Sequence, residues 1–479
     1  MGLTICIYKL LLYEVNLLSS YMQNTIRTPK YIFILFALGQ LGWSLTCFSV
    51  CNCVNYFYVP PIKNGIPEFP NYISHASIFG LFTILGAIVL SSFLPDALTS
   101  FLVANKSDKD TSSFGRRKKY MAIGILPFAL FSVLVFSPIT TSVSHLNAIW
   151  FAFSLFAFYI SWAFYLTPYN AMINDLGNDS QDRLTINMYI SITWALGFLI
   201  GNSVYVVKGY FQSFMSTSHA FQYAIALFSF IGFLLMLVPI IFIDEKKYCT
   251  YHSNELANKQ NLFQSIKEAF KESNFRSFVV SDAIYWLASN TISVCLVYYV
   301  VNLLNIDEQY TSLIGLVMLL GSFAMYIPVN FLSKKMGKKK LQQTAYILLT
   351  IAFGMIFFLG KLPISNVVQL LLLGIVIMLP LASFGILPNA ILGDLIEDKK
   401  NKKGEYHAAL YFSIKTVMMK LGVHFSNFII FALLPIGQGT TNIGIRSTAL
   451  VAMGVAIIGL MVFSFYNEQN LELKKINNE

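Results

Sequence analysis

The sequence predicts an all-helical membrane protein with twelve spanning helices in two related six-helix halves. Three observations predict it: an apolar composition, basic residues confined to alternate loops, and an internal repeat. The chain is 56% hydrophobic and 12% charged, with a mean hydropathy of +0.63. Soluble domains are about 45–50% apolar and about 25% charged, and a soluble core could not absorb the excess. The net charge of +10 does not point to nucleic acid. Its lysines and arginines sit in short loops between apolar runs, which is a pattern of membrane topology. Six cysteines form no CxxC pair and read as buried thiols, with no metal-ligand cluster around them.

Residues 1–26 are an extension, apolar but carrying Lys9 and Glu14, without an evident cleavage site. They read as an interfacial helix or as the product of a start upstream of Met22. Apolar runs then lie near 31–58, 72–104, 119–138, 147–174, 184–207, 220–243, 277–303, 310–333, 340–360, 366–395, 407–434 and 443–466. Each is long enough for a helix to cross a bilayer, which takes about 20 residues. Only helices satisfy their backbone groups in lipid one segment at a time.

Loops 2–3, 6–7, 8–9 and 10–11 hold most of the basic residues, among them Arg116, Arg117, Lys267, Lys338 and Lys399. The opposite side has Lys63, Lys208, Lys361 and Arg446. The positive-inside rule then places the basic loops and both termini in the cytoplasm, in a multi-pass protein of the cell (inner) membrane. The chain divides into a six-helix bundle (27–243), a linker with an amphipathic surface helix (244–276), a second bundle (277–467) and a tail (468–479). The repeat supports this. PYNAMINDL (168–176) and LPNAILGDL (387–395) match, as do GRRKKY (115–120) and GKKKLQ (337–342), both pairs about 220 residues apart. Such repeats place a binding site between the halves near the midplane.

Chemistry is sought in the charges within the spans. Asp96 lies ten residues before Lys106, roughly 15 Å deep at about 1.5 Å per residue. Pro95 can free a backbone carbonyl there, and Thr99 and Ser100 follow one turn on. A carboxylate with hydroxyls and a loosened backbone can hold a small cation or a proton; the plainer reading is an acid that merely pairs with a lysine. Lys420 shares a helical face with Thr416 and His424. A lysine deep in a membrane helix costs roughly 2.5–3.5 kcal/mol on insertion scales, so it calls for a partner or a role. Lys415, nearer the basic end, can snorkel. His424 is either a proton relay or a hydrogen-bonded structural residue.

Asp175 and Asp394 end spans 4 and 10 at matching repeat positions. With Arg116, Arg117 and Lys338 they could form a cytoplasmic gate, its ion pairs holding the ends together and breaking when the inside opens; ordinary surface acids are the alternative. Trp43, Asn52, Tyr165, Tyr169, Asn170, Asp282, Tyr285 and His424 are candidates for lining a solute cavity. For aromatic residues in lipid, packing is the commoner role, and Asp282 could equally sit at the cytoplasmic rim. No Ser/His/Asp order, HExxH or P-loop occurs, so no catalytic set and no cofactor is implied.

The segments PYNAMINDLGNDSQDRLTINMY, LPNAILGDLIEDKKNKKGEYHAALYFSIKTVMMKLG and GIRSTALVAMG, with DALTSF and FGRRKKY, resemble the glycoside–pentoside–hexuronide:cation symporters, which include melibiose permease, within the major facilitator superfamily. The resemblance covers most of 27–467. It implies alternating access and cotransport of a small solute, a sugar or glycoside, with a cation. Asp96 matches the family's first cation-site aspartate, Lys420 its helix 11 lysine and Thr416 the neighbouring threonine. The second aspartate is Ser100 here, which favours H⁺ over Na⁺ as the coupling ion; no metal beyond a transported Na⁺ is implied. The family's sugar-contacting acid and arginine fall near Leu166 and Ile190, so galactoside recognition of that kind is not expected. The partners expected of such a monomeric carrier are a small-molecule solute, the cation and the bilayer. A lysolipid carrier of the same fold is the alternative within transport; a membrane enzyme, sensor or channel is disfavoured.

Overall fold

The structure is a computed structural model that describes residues 28–63, 65–79, 82–177, 180–249, 262–403 and 408–468. The expected extension at 1–26, the middle of the linker and the tail beyond Glu468 lie outside them. The first half contains helices α1 (Lys30–Cys51), α2 (Val54–Tyr58), α3 (Ile84–Ser91), α4 (Phe93–Lys109), α5 (Lys118–Leu134), α6 (His145–Leu176), α7 (Ser180–Gly201), α8 (Val204–Phe211) and α9 (Thr217–Phe242). A short α10 (Glu245–Tyr248) and the surface helix α11 (Leu262–Lys271) belong to the linker. The second half contains α12 (Ser273–Tyr298), which runs into a π-turn, α13 (Gln309–Ala324), α14 (Tyr326–Met336), α15 (Lys338–Phe358), α16 (Asn366–Lys403), α17 (Ala408–Leu433) and α18 (Ile443–Ser464). The second bundle thus begins at Ser273, four residues before the expected 277.

Ten helices among the described residues are long and apolar enough to cross a membrane, with α1–α2, α3–α4 and α7–α8 each counted as one; α13 and α14, bent by 45°, make an eleventh. The remaining expected span is α5, with 17 residues, or about 26 Å at 1.5 Å per residue. Expected span 2 starts too early in the sequence reading. Residues 72–76 form a loop, and a two-stranded ribbon follows, β1 (Ser77–Phe79) with β2 (Phe82–Thr83). The Thr83 side chain accepts a hydrogen bond from Gly86 N at 3.1 Å, which fixes the helix start at Ile84. A run of apolar residues does not by itself distinguish a buried loop from a helix.

Each half repeats one packing scheme. In the first, α1 packs on α7 and α9, α5 on α6 and α9, and α4 on α6. In the second, α12 packs on α17 and α18, α15 on α16 and α18, and α13 on α16. Each pair in one half has its counterpart six spans later, as the sequence repeat predicts.

The chain ends of the two bundles are capped alike. Glu245, just after α9, accepts from the Arg117 and Lys118 backbone N–H groups at 3.0 Å. Glu468, after α18, accepts from those of Lys338 and Lys339 at 2.8 and 2.9 Å. A carboxylate at a helix N-terminus satisfies orphan donors and suits the helix dipole.

The halves are joined toward the end opposite the basic loops. There α3 packs on α17, and α13 on α7 and α8. Tyr298 Oη donates to Val59 O at 2.7 Å, Gln438 Nε2 to Pro60 O at 2.8 Å and Ser312 Oγ to Asn202 O at 2.8 Å. Lys208, at the end of α8, is fully buried. It makes 2.7 Å ion pairs with Glu68 in its own half and Glu308 in the other, and donates to Tyr56 Oη at 2.7 Å. Tyr56 in turn donates to Glu308. Toward the basic end, α4 packs on α6 and α14 on α15 and α16, each inside its own half.

Candidate functional site

Span 2 breaks at Ser92, between α3 and α4, three residues before Pro95. Proline lacks the N–H that would continue the ladder, and the break sets Asp96 in the first turn of α4. Asp96 is fully buried. Its Oδ1 accepts a 2.7 Å bond from Lys420 Nζ on α17, which joins the two halves. Ser100 Oγ lies 3.4 Å from both groups. The other carboxylate oxygen, Asp96 Oδ2, has no hydrogen-bond partner. Such an atom is costly to bury unless something comes to it.

The pair is roofed by aromatic rings. Lys420 Nζ lies 5.4 Å from the Trp162 ring, within cation–π range. Trp162 in turn meets Trp43 and Tyr159, both at 5.9 Å. The indole N–H groups of Trp43 and Trp162 have no acceptor. His424 is buried one turn beyond Lys420. Its Nδ1 lies 3.1 Å from Val89 O and 3.3 Å from Ser92 Oγ, so it ties α17 to α3, and its ring lies 4.9 Å from Tyr159. Beyond it a small pocket, with room for about one water, is lined by Val54, Asn55, Val89, Tyr159, Asn427 and Phe431, among others. Asn427 Oδ1 accepts from Asn55 and Asn290, each at 3.2 Å.

The structure therefore gathers Asp96, Ser100, Lys420, His424 and Trp43 around one point between the halves. Other sequence-derived candidates fall elsewhere. Thr416 does not join Lys420: it is exposed and its hydroxyl donates to Phe412 O at 2.9 Å. Threonine in a helix commonly turns its hydroxyl back to the preceding turn. Thr99 is half-buried on α4. Tyr165 and Tyr169 were expected at a cavity, but both are fully buried inside the first half. Their hydroxyls donate to Met236 O and Phe36 O, and Tyr169 stacks on Phe36 at 4.2 Å. Asn52 is likewise internal, donating to Asn202 Oδ1 at 2.9 Å. Asn170 is exposed. Asp282 and Tyr285 are buried in the second half, with Tyr285 stacked on Phe384 at 3.6 Å.

The residues proposed as a gate do pair, but within each half. Asp175 receives Arg117 Nε at 2.5 Å and Arg116 at 3.3 Å; Asp394 receives Lys338. Among the described residues these pairs fasten loop 2–3 to α6 and loop 8–9 to α16. Burial pushes the Arg117 guanidinium down, but Asp175 and Asp108 outweigh it and hold its proton more tightly than usual.

Sequence reasoning missed Trp162, Tyr159 and the Lys208 cluster. For Trp162 the signal was present: it lies on the α6 segment that carries the repeat. Lys208 looked like one of four ordinary loop cations on its side.

The model of the MFS/sugar transport protein family matches residues 35–466. The chain belongs to this family of membrane transporters. An uncharacterized symporter, YjmB, of Bacillus subtilis (strain 168) is 24% identical over 398 residues, covering 79% of this chain and 83% of the symporter. A lactose permease of Lactobacillus delbrueckii subsp. bulgaricus is 25% identical over 408 residues, covering 81% of this chain and 61% of the permease. Among solved structures, the nucleoside transporter NupG superposes with a TM-score of 0.63 at 16% identity, covering 90% of this chain and 98% of NupG. The inward-open xylose transporter XylE from E. coli gives 0.59 at 15% identity, covering 90% and 95%. At these identities the structural likeness speaks for the fold alone. The fold is that of the major facilitator superfamily, and the family makes the protein a transporter, not an enzyme.

Proposed function

We propose that this transporter moves a small sugar or glycoside across the cell membrane by alternating access, coupled to protons through Asp96 and Lys420. The observation that carries the reading is the pair of fully buried Asp96 with largely buried Lys420 between the halves, at 2.7 Å, with one carboxylate oxygen unpartnered. A proton on Asp96 would release Lys420, and Lys420 would displace a proton from Asp96, so the pair can exchange one cation for another. Ser100, where the symporters that this chain resembles carry a second aspartate, leaves the site one charge short of a strong Na⁺ ligand set. The unpaired indole N–H groups of Trp43 and Trp162 beside the pair offer a sugar a stacking face and two donors; aromatic faces with a few placed polar groups are the usual make-up of small-molecule sites.

The basic loops support a cytoplasmic placement of that end and of both termini. On that placement this conformation is joined at the outside and looser toward the cytoplasm. The single chain contains both halves, which supports a monomeric working unit.

The test is uptake into proteoliposomes of radiolabelled sugars, glycosides, nucleosides and lysolipids, with a proton gradient, a Na⁺ gradient or neither. A sugar should accumulate with the proton gradient, and Asp96→Asn should reduce accumulation to equilibration. Full gradient-driven accumulation by Asp96→Asn would sink the coupling reading; flux of lysolipid alone would sink the solute class. Ser100→Asp is expected to shift coupling toward Na⁺.

A further inference from the structure

A second acid inside the membrane remains unaccounted for. Asp282 on α12 is 2% exposed, and neither carboxylate oxygen has a hydrogen-bond partner. An ionised carboxylate so placed is far costlier than a neutral acid unless a cation meets it. Asp96 has its cation; Asp282 does not. The charged and titratable groups around it are otherwise engaged. Lys415 of α17 is close enough to act on it electrostatically, but its Nζ donates to Asn389 Oδ1 of α16 at 2.7 Å. Tyr346 of α15 spends its hydroxyl on Ser281 O at 2.7 Å. On its own helix, Tyr285 lies stacked on Phe384, and the Trp286 indole, one turn on, is close enough to act on the carboxyl as a weak donor; neither neighbour supplies a full positive charge.

We infer that Asp282 is a second proton site, within the second half, and that Lys415 empties it by moving from Asn389 to the carboxylate. In this conformation the unpartnered carboxyl can hold a proton as a neutral acid. When Lys415 approaches, the carboxyl O–H bond breaks, the proton leaves to the solvent that reaches the exposed Lys415–Asn389 bond, and the ammonium takes its place as the positive partner. The reverse motion reloads the site. α17 then serves two acids: Lys420 meets Asp96 across the interface, and Lys415, five residues earlier and about 140° round the helix, faces Asp282 inside its own half. A shift of this one helix would move protons at both. The inference rests on the coupled-transport reading only for its purpose; the site itself needs no solute.

The test therefore uses the full chain in lipid vesicles with no solute. Infrared difference spectra between acid and alkaline pH read the carbonyl stretch of protonated carboxylic acids. We expect a buried-acid band that is lost in Asp282→Asn, shifted in frequency in Asp282→Glu, and altered in pH dependence in Lys415→Gln. Spectra of both Asp282 variants that match the wild type would overturn the site. The unaltered protein gives an independent readout, since an apolar carbodiimide adds only to protonated carboxyls. Mass spectrometry should find Asp282 labelled, less so as pH rises. Labelling of other buried carboxyls but never of Asp282 overturns the proposal too. Loss of the band in Asp282→Asn beside full accumulation by Asp96→Asn would leave this site standing and fell the coupling reading. The converse pair of results would do the opposite.

Discussion

The two ends of the molecule use the same kinds of charges in different ways. Opposite the basic loops, the ammonium of Lys208 is shared between Glu68 of its own half and Glu308 of the other, out of contact with water. At the basic end, Arg116 and Arg117 hold Asp175, and Lys338 holds Asp394, each inside one half. A bond that crosses between bodies is made in one conformation and broken in the other, so it biases an equilibrium. A bond inside a body is present in both, so it supports the fold and leaves the equilibrium alone.

Breaking Lys208 should have the largest effect. Removing one partner of a buried ion cluster leaves an uncompensated charge, which costs about 3–5 kcal/mol. Lys208→Met is expected to open the end it now closes. Spin-label distances between the halves, or cysteine accessibility near Asn55, would register the shift; an unchanged distance distribution would show that the cluster is not a latch. Arg117→Ala tests the other side of the contrast. It should lower the melting temperature by the equivalent of about 1.5–3 kcal/mol, the worth of a hydrogen bond to a charged group, with the inter-half distances unmoved. If the distances move and the melting temperature does not, the assignment of the two ends is reversed.

Lys63 and Asp307 also bridge the halves, at 3.0 Å, but both are well exposed. Exposed pairs are worth at most about 1 kcal/mol, so Lys63→Ala should barely shift the equilibrium, and less still at high salt. The smallest expected effect concerns His75, in the loop over the closed end, whose Nε2 lies 2.7 Å from Tyr58 O. Burial holds its pKa below the ordinary 6.5. The folded state then binds fewer protons than the unfolded chain, so stability is full above that value and declines as pH falls below it. His75→Gln should flatten the acid side of a thermal-stability profile by a small amount.

The halves, their order and most span limits were legible because membrane helices announce themselves by length and apolarity, and because the repeat falls on residues one can read: PYNAMINDL against LPNAILGDL. Asp96 and Lys420 were legible for the same reason, as charges where charges are expensive. What was not legible was direction. Tyr165 and Tyr169 sit on the same helix as Tyr159 and Trp162, yet the first two point into the bundle and the last two toward the pair. Periodicity predicts the sharing of a face; it cannot say which face meets the other half when nearly every face is apolar.

The sequence by itself determined the solvent, the two halves and the depth of the acids, because the cost of backbone and charge in lipid depends on local composition. Only the tertiary structure decided the partners. It placed Lys420 on Asp96, left Asp282 without one, and drew Lys208 to two glutamates from separate halves. Pairing is a matter of a few ångströms between residues far apart in sequence, 324 positions for Lys420 and Asp96, and no local pattern encodes that distance.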